Sequence, residues 1–156
     1  MKSREWPESG PRPQVFNRPL INKSTKQSIW AVFAGVLVVI VVTTLVDVVM
    51  HVTGIFPPLD VPIDNRMSLI ATSYRVVIGI LGAYVTAKLA PANPMKHAMI
   101  LGVIGTILAT VGVVVSWGST LGPAWYPIAL AALAIPQSWL GGRLYRMTMS
   151  LTAREV

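Results

Sequence analysis

Long apolar runs, separated by short polar stretches, dominate the chain from about residue 28 onward. Residues 27–46 carry no charged side chain and are rich in valine and isoleucine. At about 1.5 Å per residue, a helix of this length crosses a hydrocarbon core of about 30 Å. A lone strand is excluded here because its backbone groups would remain unpaired in lipid. The pattern therefore predicts a first membrane-spanning helix at about 28–52.

Three further spans follow from the same pattern. The second covers about 67–90 and contains one charge, Arg75, before Lys88 at its end. Residues 98–142 are free of charged side chains and too long for one crossing. The polar stretch 116–123, which contains glycine and proline, divides this run into spans at about 98–117 and 124–145. We expect an all-α membrane protein, a four-transmembrane-helix bundle in up-down-up-down order.

Polar segments flank this four-helix domain, which we assign to 28–146. Residues 1–27 contain four prolines, six basic side chains and few large apolar ones, a composition typical of disordered chain. We predict a disordered basic cytoplasmic tail there and a short cytoplasmic tail at 147–156. No cleavable signal peptide is expected, because about 27 mostly polar residues precede the first apolar run.

The basic side chains lie on one side of the predicted bundle. They occur in the N-terminal tail, in the loop at 88–97 and near the C-terminus, whereas the loop at 53–66 has one base and the loop at 118–123 has none. The positive-inside rule therefore predicts that both termini are cytoplasmic. Anionic lipid headgroups are the expected partners of these basic flanks, and the lipid bilayer is the partner of the spans.

Composition agrees with a membrane protein and excludes other classes. Hydrophobic residues make up 53% of the chain and charged residues 12%, about half the share usual in soluble proteins. The net charge of +7 resides in the flanks rather than on a basic face with interleaved aromatics, so nucleic acid is not an expected partner. The chain has no cysteine, which excludes disulfides, thiolate catalysis and thiol metal sites.

Small residues recur at spacings of three and four in the second, third and fourth spans. Close backbone approach holds helices together in lipid, and this spacing favours left-handed packing at about +20°. We assign the glycines of these stripes to helix packing: Gly79, Gly82, Gly102, Gly105, Gly112 and Gly141. The first span, rich in branched side chains, is expected to face lipid. Short matches between spans one and three, and between two and four, allow two tandem helical hairpins.

Polar side chains near the outer ends of the first two spans form the main candidate site. Asp47 lies about 6–9 Å inside the first span, and Arg75 lies about 12 Å inside the second. An arginine side chain reaches several ångströms along its helix, so the two depths suit a salt bridge. Thr43 and His51 share a face with Asp47 at spacings of four. The sequence therefore predicts a polar binding cluster of these four residues.

Two interpretations of this cluster stay open. A charge at this depth costs several kcal/mol unless it is paired or wetted. The functional interpretation is a substrate or proton site in an outward-facing cavity. The structural interpretation is an ion pair that fixes the register of the first hairpin.

Pro136 and Gln137 interrupt the fourth span near its middle. Proline removes a helical hydrogen bond and kinks the helix, which is the favoured interpretation. Transporters also expose binding sites at broken helices, and this alternative stays open. No metal site, cofactor or catalytic residue is expected. The histidines and loop carboxylates lack ligand spacing, and no nucleophile-elbow or HExxH pattern occurs.

Three segments, Lys96–Gly105, Trp125–Pro127 and Trp139–Arg143, resemble small bacterial four-helix integral membrane proteins that have no assigned function. The resemblance covers roughly residues 28–146 and implies a multi-pass protein of the bacterial cytoplasmic (inner) membrane. It implies no activity. The first functional hypothesis is a structural or accessory membrane subunit. The second is a small oligomeric transporter or channel component that uses the cluster around Asp47 and Arg75.

Partners and activity follow from these two hypotheses. The architecture allows a second copy of the chain or another membrane protein as a partner. An enzyme is not expected, because no catalytic constellation occurs among the polar residues of the spans.

Overall fold

The computed structural model describes residues 23–58, 60–117 and 122–152, and these residues form four α-helices and no strand. The helices are α1 (Lys23–Val52), α2 (Asn65–Leu89), α3 (Pro94–Val115) and α4 (Trp125–Thr152). The all-α class with four helices is therefore confirmed. The end of the bundle at which α1 ends and α2 begins is called the upper end, and the opposite end is the lower end.

Three of the helices, α1, α2 and α3, are long and apolar enough to cross a membrane. α4 is long enough, but no membrane-length stretch of it is as apolar as those in α1, α2 and α3. The less apolar residues Pro136, Gln137 and Ser138 lie in its middle. Large apolar side chains cover the outer surfaces of α1 and α3, for example Leu45 and Leu108. Soluble monomers rarely expose apolar surface on this scale. These surfaces are those of a membrane protein.

The outer helices extend further at the lower end than the predicted spans. α1 begins at Lys23 rather than near 28, and α4 continues to Thr152 rather than ending near 145. Neither extension contains glycine or proline, so no residue there breaks the helix. Residues 23–27 and 147–152, which the sequence assigned to tails, are therefore helical. The rest of both predicted tails lies outside the described residues.

α3 begins at Pro94, earlier than the predicted start at 98. Proline suits the first turn of a helix because its missing N–H needs no partner there. Asn93 precedes it with a φ of 48°, a left-handed conformation that asparagine tolerates. Lys96 and His97, placed in a loop by their polarity, therefore lie in the first turn of α3.

The upper connection between α1 and α2 has defined ends. After α1, Gly54 has a φ of 72°, and the Phe56 N–H donates to the carbonyl of Met50 at 2.9 Å. The Phe56 side chain is buried. Asp64 caps α2 by accepting a hydrogen bond from the Met67 N–H at 2.7 Å. These contacts set where α2 starts relative to α1, and hence the relative depth of their side chains.

α2 and α4 form the middle of the bundle. α4 packs against both α2 and α3, and α2 also packs against α1. α1 touches α3 over a short stretch and, within the described residues, makes no close backbone contact with α4. α1 is therefore the peripheral helix, and its position depends on α2.

Gly35 and Gly82 bring α1 and α2 into backbone contact. A Cβ on Gly82 would lie 3.1 Å from the carbonyl oxygen of Gly35, and a Cβ on Gly35 would lie 2.9 Å from that of Gly82 and overlap Thr86 Oγ1. Only the absence of a side chain permits this approach. Gly35 was not among the glycines assigned to packing, because its helix was expected to face lipid.

The other assigned glycines differ in what they contact. A Cβ on Gly102 would lie 2.8 Å from the Ser138 Cβ, and a Cβ on Gly141 would lie 2.7 Å from the Ala83 Cβ. At Gly105 the nearest neighbour would be 3.5 Å away, an ordinary contact. At Gly112 nothing described lies within 4 Å, and the residue is exposed. Gly112 therefore makes no close packing contact within the described residues, and its role in helix packing stays a prediction.

Candidate functional site

Asp47 and Arg75 form a salt bridge between α1 and α2. Arg75 Nη2 lies 2.7 Å from Asp47 Oδ2, and each side chain is 29% exposed. Asp47 is five residues before the end of α1, and Arg75 is ten residues after the start of α2. The longer arginine side chain spans the difference in depth. The structure thus brings together the two charges that the sequence matched.

Tyr74 completes the partners of the carboxylate. Its hydroxyl donates a hydrogen bond to Asp47 Oδ1, while Arg75 occupies Oδ2. Tyr74 and Arg75 are adjacent on α2, and the Asp47 carboxylate lies between their two side chains. Both oxygens of Asp47 therefore have partners from α2.

The guanidinium of Arg75 retains unused donors. Its Cζ lies 5.7 Å from the ring centroid of Tyr126 and 5.9 Å from that of Tyr74, which are cation–π distances. Arg75 Nε is buried and has no hydrogen-bond partner in the described part of the chain. Since an arginine carries five N–H donors, the cluster has more donors than its single carboxylate uses. The site is therefore suited to a hydrogen-bond acceptor.

Arg75 borders two cavities. The central cavity, of about 250 Å³, lies among all four helices and is mostly apolar, with Thr43, Arg75, Gln137 and Ser138 as its polar lining. The upper cavity, of about 460 Å³, lies between α3 and α4 near their upper ends, and Ser116, Trp117 and Tyr126 are among its lining residues. Arg75, Ala109 and Leu130 line both cavities. The guanidinium therefore lies where the two cavities meet.

The remaining members of the predicted cluster occupy different positions. Thr43 lines the central cavity with Arg75. His51 does not reach the carboxylate, because its Nδ1 donates instead to the backbone carbonyl of Asp47 at 2.7 Å. Its ring also packs edge-on against Phe56, with the ring centroids 5.7 Å apart. His51 therefore closes the upper end of α1 rather than joining the polar cluster.

Pro136 and Gln137 have different environments although they are adjacent. Pro136 lies on the exposed face of α4, which is assigned as one continuous helix through this position. Gln137 points about 100° away around the helix and lines the central cavity. Its amide lies over Gly79, where an added Cβ would be 2.6 Å from both amide heteroatoms. Gln137, not the proline, thus contributes to the candidate site.

The chemistry available here is hydrogen bonding and electrostatics. Among the described residues, no group of three His, Asp or Glu side chains could hold a metal ion together. Searches of the chain against protein-family models, curated proteins and solved structures find no match. The site itself is a paired arginine with spare N–H donors that lies between two cavities.

Tyr74 and Tyr126 were missed by the sequence analysis as partners of the charged pair. Neighbouring helix residues point about 100° apart, so Tyr74 was not expected to share a partner with Arg75. Tyr126 fits a membrane-interface aromatic equally well. The only available signal was a tyrosine beside the single charge in the middle of an apolar span.

Proposed function

We propose that the chain is a multi-pass protein of a bacterial cytoplasmic membrane in which all four helices cross the bilayer. Support for the fourth crossing comes from α4, which runs along α3 from Gly105 and Ala134 near the middle to Ala98 and Gly142 near the lower end. If α3 crosses the membrane, a helix packed along its length occupies the same range of depths in the bilayer. Basic side chains cluster at the lower end: Lys88, Lys96, Arg143 and Arg146. This distribution supports a cytoplasmic lower end with both termini inside.

Within this topology, we propose that the chain acts as a small transporter or channel component. The observation that carries the proposal is the position of Arg75 between the central and upper cavities. A purely structural ion pair is expected to be enclosed by dry packing, whereas this guanidinium lines open space on two sides. The upper cavity leads towards the outward end of the bundle, so it supplies a route to the charge.

The proposal includes an oligomer. Four helices enclose little space, and α1 is attached to the bundle mainly through α2. A second copy could complete the wall that α1 leaves open between itself and α4. The proposal of an oligomer rests on the peripheral position of α1.

A thiol-reactivity measurement tests whether the cavities contain water. The natural chain has no cysteine, so single-cysteine variants have no background. Ala109→Cys places a thiol on the wall shared by both cavities, whereas Val111→Cys places one at similar depth on the exposed apolar surface of α3. Iodoacetamide reacts with the ionised thiol, and a thiol in hydrocarbon does not ionise. Intact-protein mass measures the reaction in lipid nanodiscs.

We expect Ala109→Cys to be alkylated at least about tenfold faster than Val111→Cys, because ionisation of the thiol requires water. Equal and slow alkylation of both variants would show dry packing around Arg75. That result would reject the transporter or channel proposal.

A structural or accessory subunit is the second candidate. It is supported by Asp47, whose two carboxylate oxygens both have partners within the chain. This candidate predicts that Asp47→Leu combined with Arg75→Leu retains both folding and the protein's cellular role. The transporter or channel candidate predicts retained folding with loss of that role.

A further inference from the structure

Gln137 is a polar group in mid-membrane whose amide has no partner of its own. It lies near the middle of α4 and lines the central cavity, and its amide takes part in none of the hydrogen bonds found among the described residues. Its contact with Gly79 fixes the amide in place at the wall of the central cavity. Ser138, next to it, is buried against Gly102 and also lines the central cavity.

Several hydroxyl side chains in α2 and α3 are satisfied by their own helices. Thr72 donates to the carbonyl of Ser68 at 2.8 Å, and Thr106 donates to that of Gly102 at 3.0 Å. Such groups need no further partner in lipid. A carboxamide cannot satisfy both its donors and its acceptor in this way, and an unpaired amide in hydrocarbon is costly. The central cavity therefore presents an amide whose donors and acceptor are available to a partner from outside the chain.

The charges around the cavities exclude a strongly charged partner. Among the described residues, Arg75 is the only Lys, Arg, Asp or Glu that lines either cavity, and Asp47 already neutralises it. A ligand with a net charge would therefore be buried at membrane depth without a counter-ion. The spare N–H donors of Arg75 still favour an acceptor atom on the ligand. An uncharged carbonyl group meets both requirements.

The size and lining of the cavities suit a small amphiphile. At about 250 Å³, the central cavity is slightly smaller than ordinary ligand pockets, which span about 300–1,000 Å³. Val39, Leu101 and Ile104 give it apolar walls. The upper cavity adjoins it at Arg75 and offers further apolar surface for a chain.

We propose that the central cavity binds an uncharged amphiphile through a carboxamide or other carbonyl head, with Gln137 and Ser138 as its hydrogen-bonding residues and Arg75 as an additional donor. This inference rests on the proposed function, because it names the class of ligand for the same cavities. A carboxamide pairs with the Gln137 amide in both directions, as donor and acceptor. The apolar part of the ligand lies against the walls from α1 and α3.

A protection assay tests this inference with decanamide as the probe. Ile104→Cys places a thiol on the wall of the central cavity, and iodoacetamide alkylation of this variant is followed in nanodiscs. The nanodiscs contain diether lipids, so that no lipid carbonyl competes. At about ten times its Kd, decanamide should slow alkylation about tenfold. Decanoate and decyltrimethylammonium, which have the same chain length but carry a charge, should not protect the thiol.

Two variants link protection to the named side chains. Gln137→Leu, made together with Ile104→Cys, should abolish protection by decanamide, whereas Ile135→Leu on the exposed face of α4 should leave it unchanged. Ser138→Ala, a smaller change, should weaken it and serves where the Gln137 variant does not fold. Protection that survives both cavity variants would overturn the assignment of these residues.

The outcomes separate this inference from the proposed function. If Ala109→Cys is alkylated rapidly but decanamide does not protect Ile104→Cys, the proposed ligand class is wrong. The proposal that the cavities contain water would still hold. Equal protection by decanoate would also overturn it, because the charge argument would be wrong. Protection in diester nanodiscs without added decanamide would support the carbonyl chemistry and identify a bilayer lipid as its source.

Discussion

Arg75 Nη2 on α2 lies 2.7 Å from Asp47 Oδ2 on α1, and this contact joins the upper halves of the two helices. The lower halves are joined at Gly35 and Gly82, where the two backbones come so close that a side chain on either residue would clash with the other helix. Within the described residues, α1 has no close contact with α4. The salt bridge and the glycine crossing are therefore two contacts, at different heights, that hold α1 on α2.

Asp47→Asn should destabilise the protein, because it leaves the Arg75 guanidinium without a counter-charge at membrane depth. Removing one partner of a fully buried pair costs about 3–5 kcal/mol, and the 29% exposure of each side chain lowers our expectation to about 2 kcal/mol. Thermal unfolding of the purified protein in detergent measures this loss. Asp60→Asn in the exposed connection between α1 and α2 is the matched control and should change little.

Replacing both charged residues tests whether the destabilisation comes from leaving one charge unpaired. Asp47→Leu together with Arg75→Leu should recover most of the stability lost in Asp47→Asn, because no unpaired charge remains. A double variant less stable than Asp47→Asn would show that the pair contributes more than mutual neutralisation.

Tyr74→Phe should lower stability by about 1.5 kcal/mol, the lower range for a hydrogen bond to a charged group. The hydroxyl donates to Asp47 Oδ1, so its removal leaves one carboxylate oxygen without its donor. Tyr84→Phe is the control on the same helix, since the Tyr84 ring packs edge-on against Tyr145 at 5.7 Å. Equal melting temperatures for the two variants would be inconsistent with the hydrogen bond.

Gly141→Ala should destabilise the contact between α2 and α4 by about 1–3 kcal/mol, as overpacking does in a close-packed core. The added Cβ would lie 2.7 Å from the Ala83 Cβ and 2.9 Å from the Tyr84 backbone nitrogen, and backbone atoms cannot move aside cheaply. Thermal stability in detergent is again the measurement.

Gly112→Ala provides the comparison for Gly141→Ala, because nothing described lies within 4 Å of the new methyl group. Its effect should stay within about 0.5 kcal/mol. If Gly112→Ala proved as harmful as Gly141→Ala, a surface outside this chain would have to cover Gly112.

Much of the helical architecture could be predicted from the sequence, since apolar run length directly limits the number of helices. The pairing of Asp47 with Arg75 was also predictable, because helical rise gives each residue a depth. The sequence interpretation failed where side-chain direction decides the contact. His51 lies four residues after Asp47, and at that spacing its ring reaches the Asp47 carbonyl rather than the carboxylate.

The glycine stripes show a second limit of pattern reasoning. Gly102, Gly105 and Gly112 lie on one stripe of α3, yet only the first two meet α4. Periodicity shows which face a residue shares but not where two tilted helices separate. Gly35 was missed because it is a single small residue among branched ones and forms no stripe. It nevertheless permits the close approach of α1 and α2.

Labelling from the two sides of the membrane tests the central claim, that α4 completes a bundle of four crossings with the basic lower end inside. Ala124→Cys lies just before the upper end of α4, and Ser150→Cys lies near its lower end. In intact bacterial cells whose outer membrane has been made permeable, a membrane-impermeant maleimide should label Ala124→Cys, and should label Ser150→Cys only after lysis. Labelling of both cysteines before lysis, or of neither, would place the two ends of α4 on the same side and contradict the account.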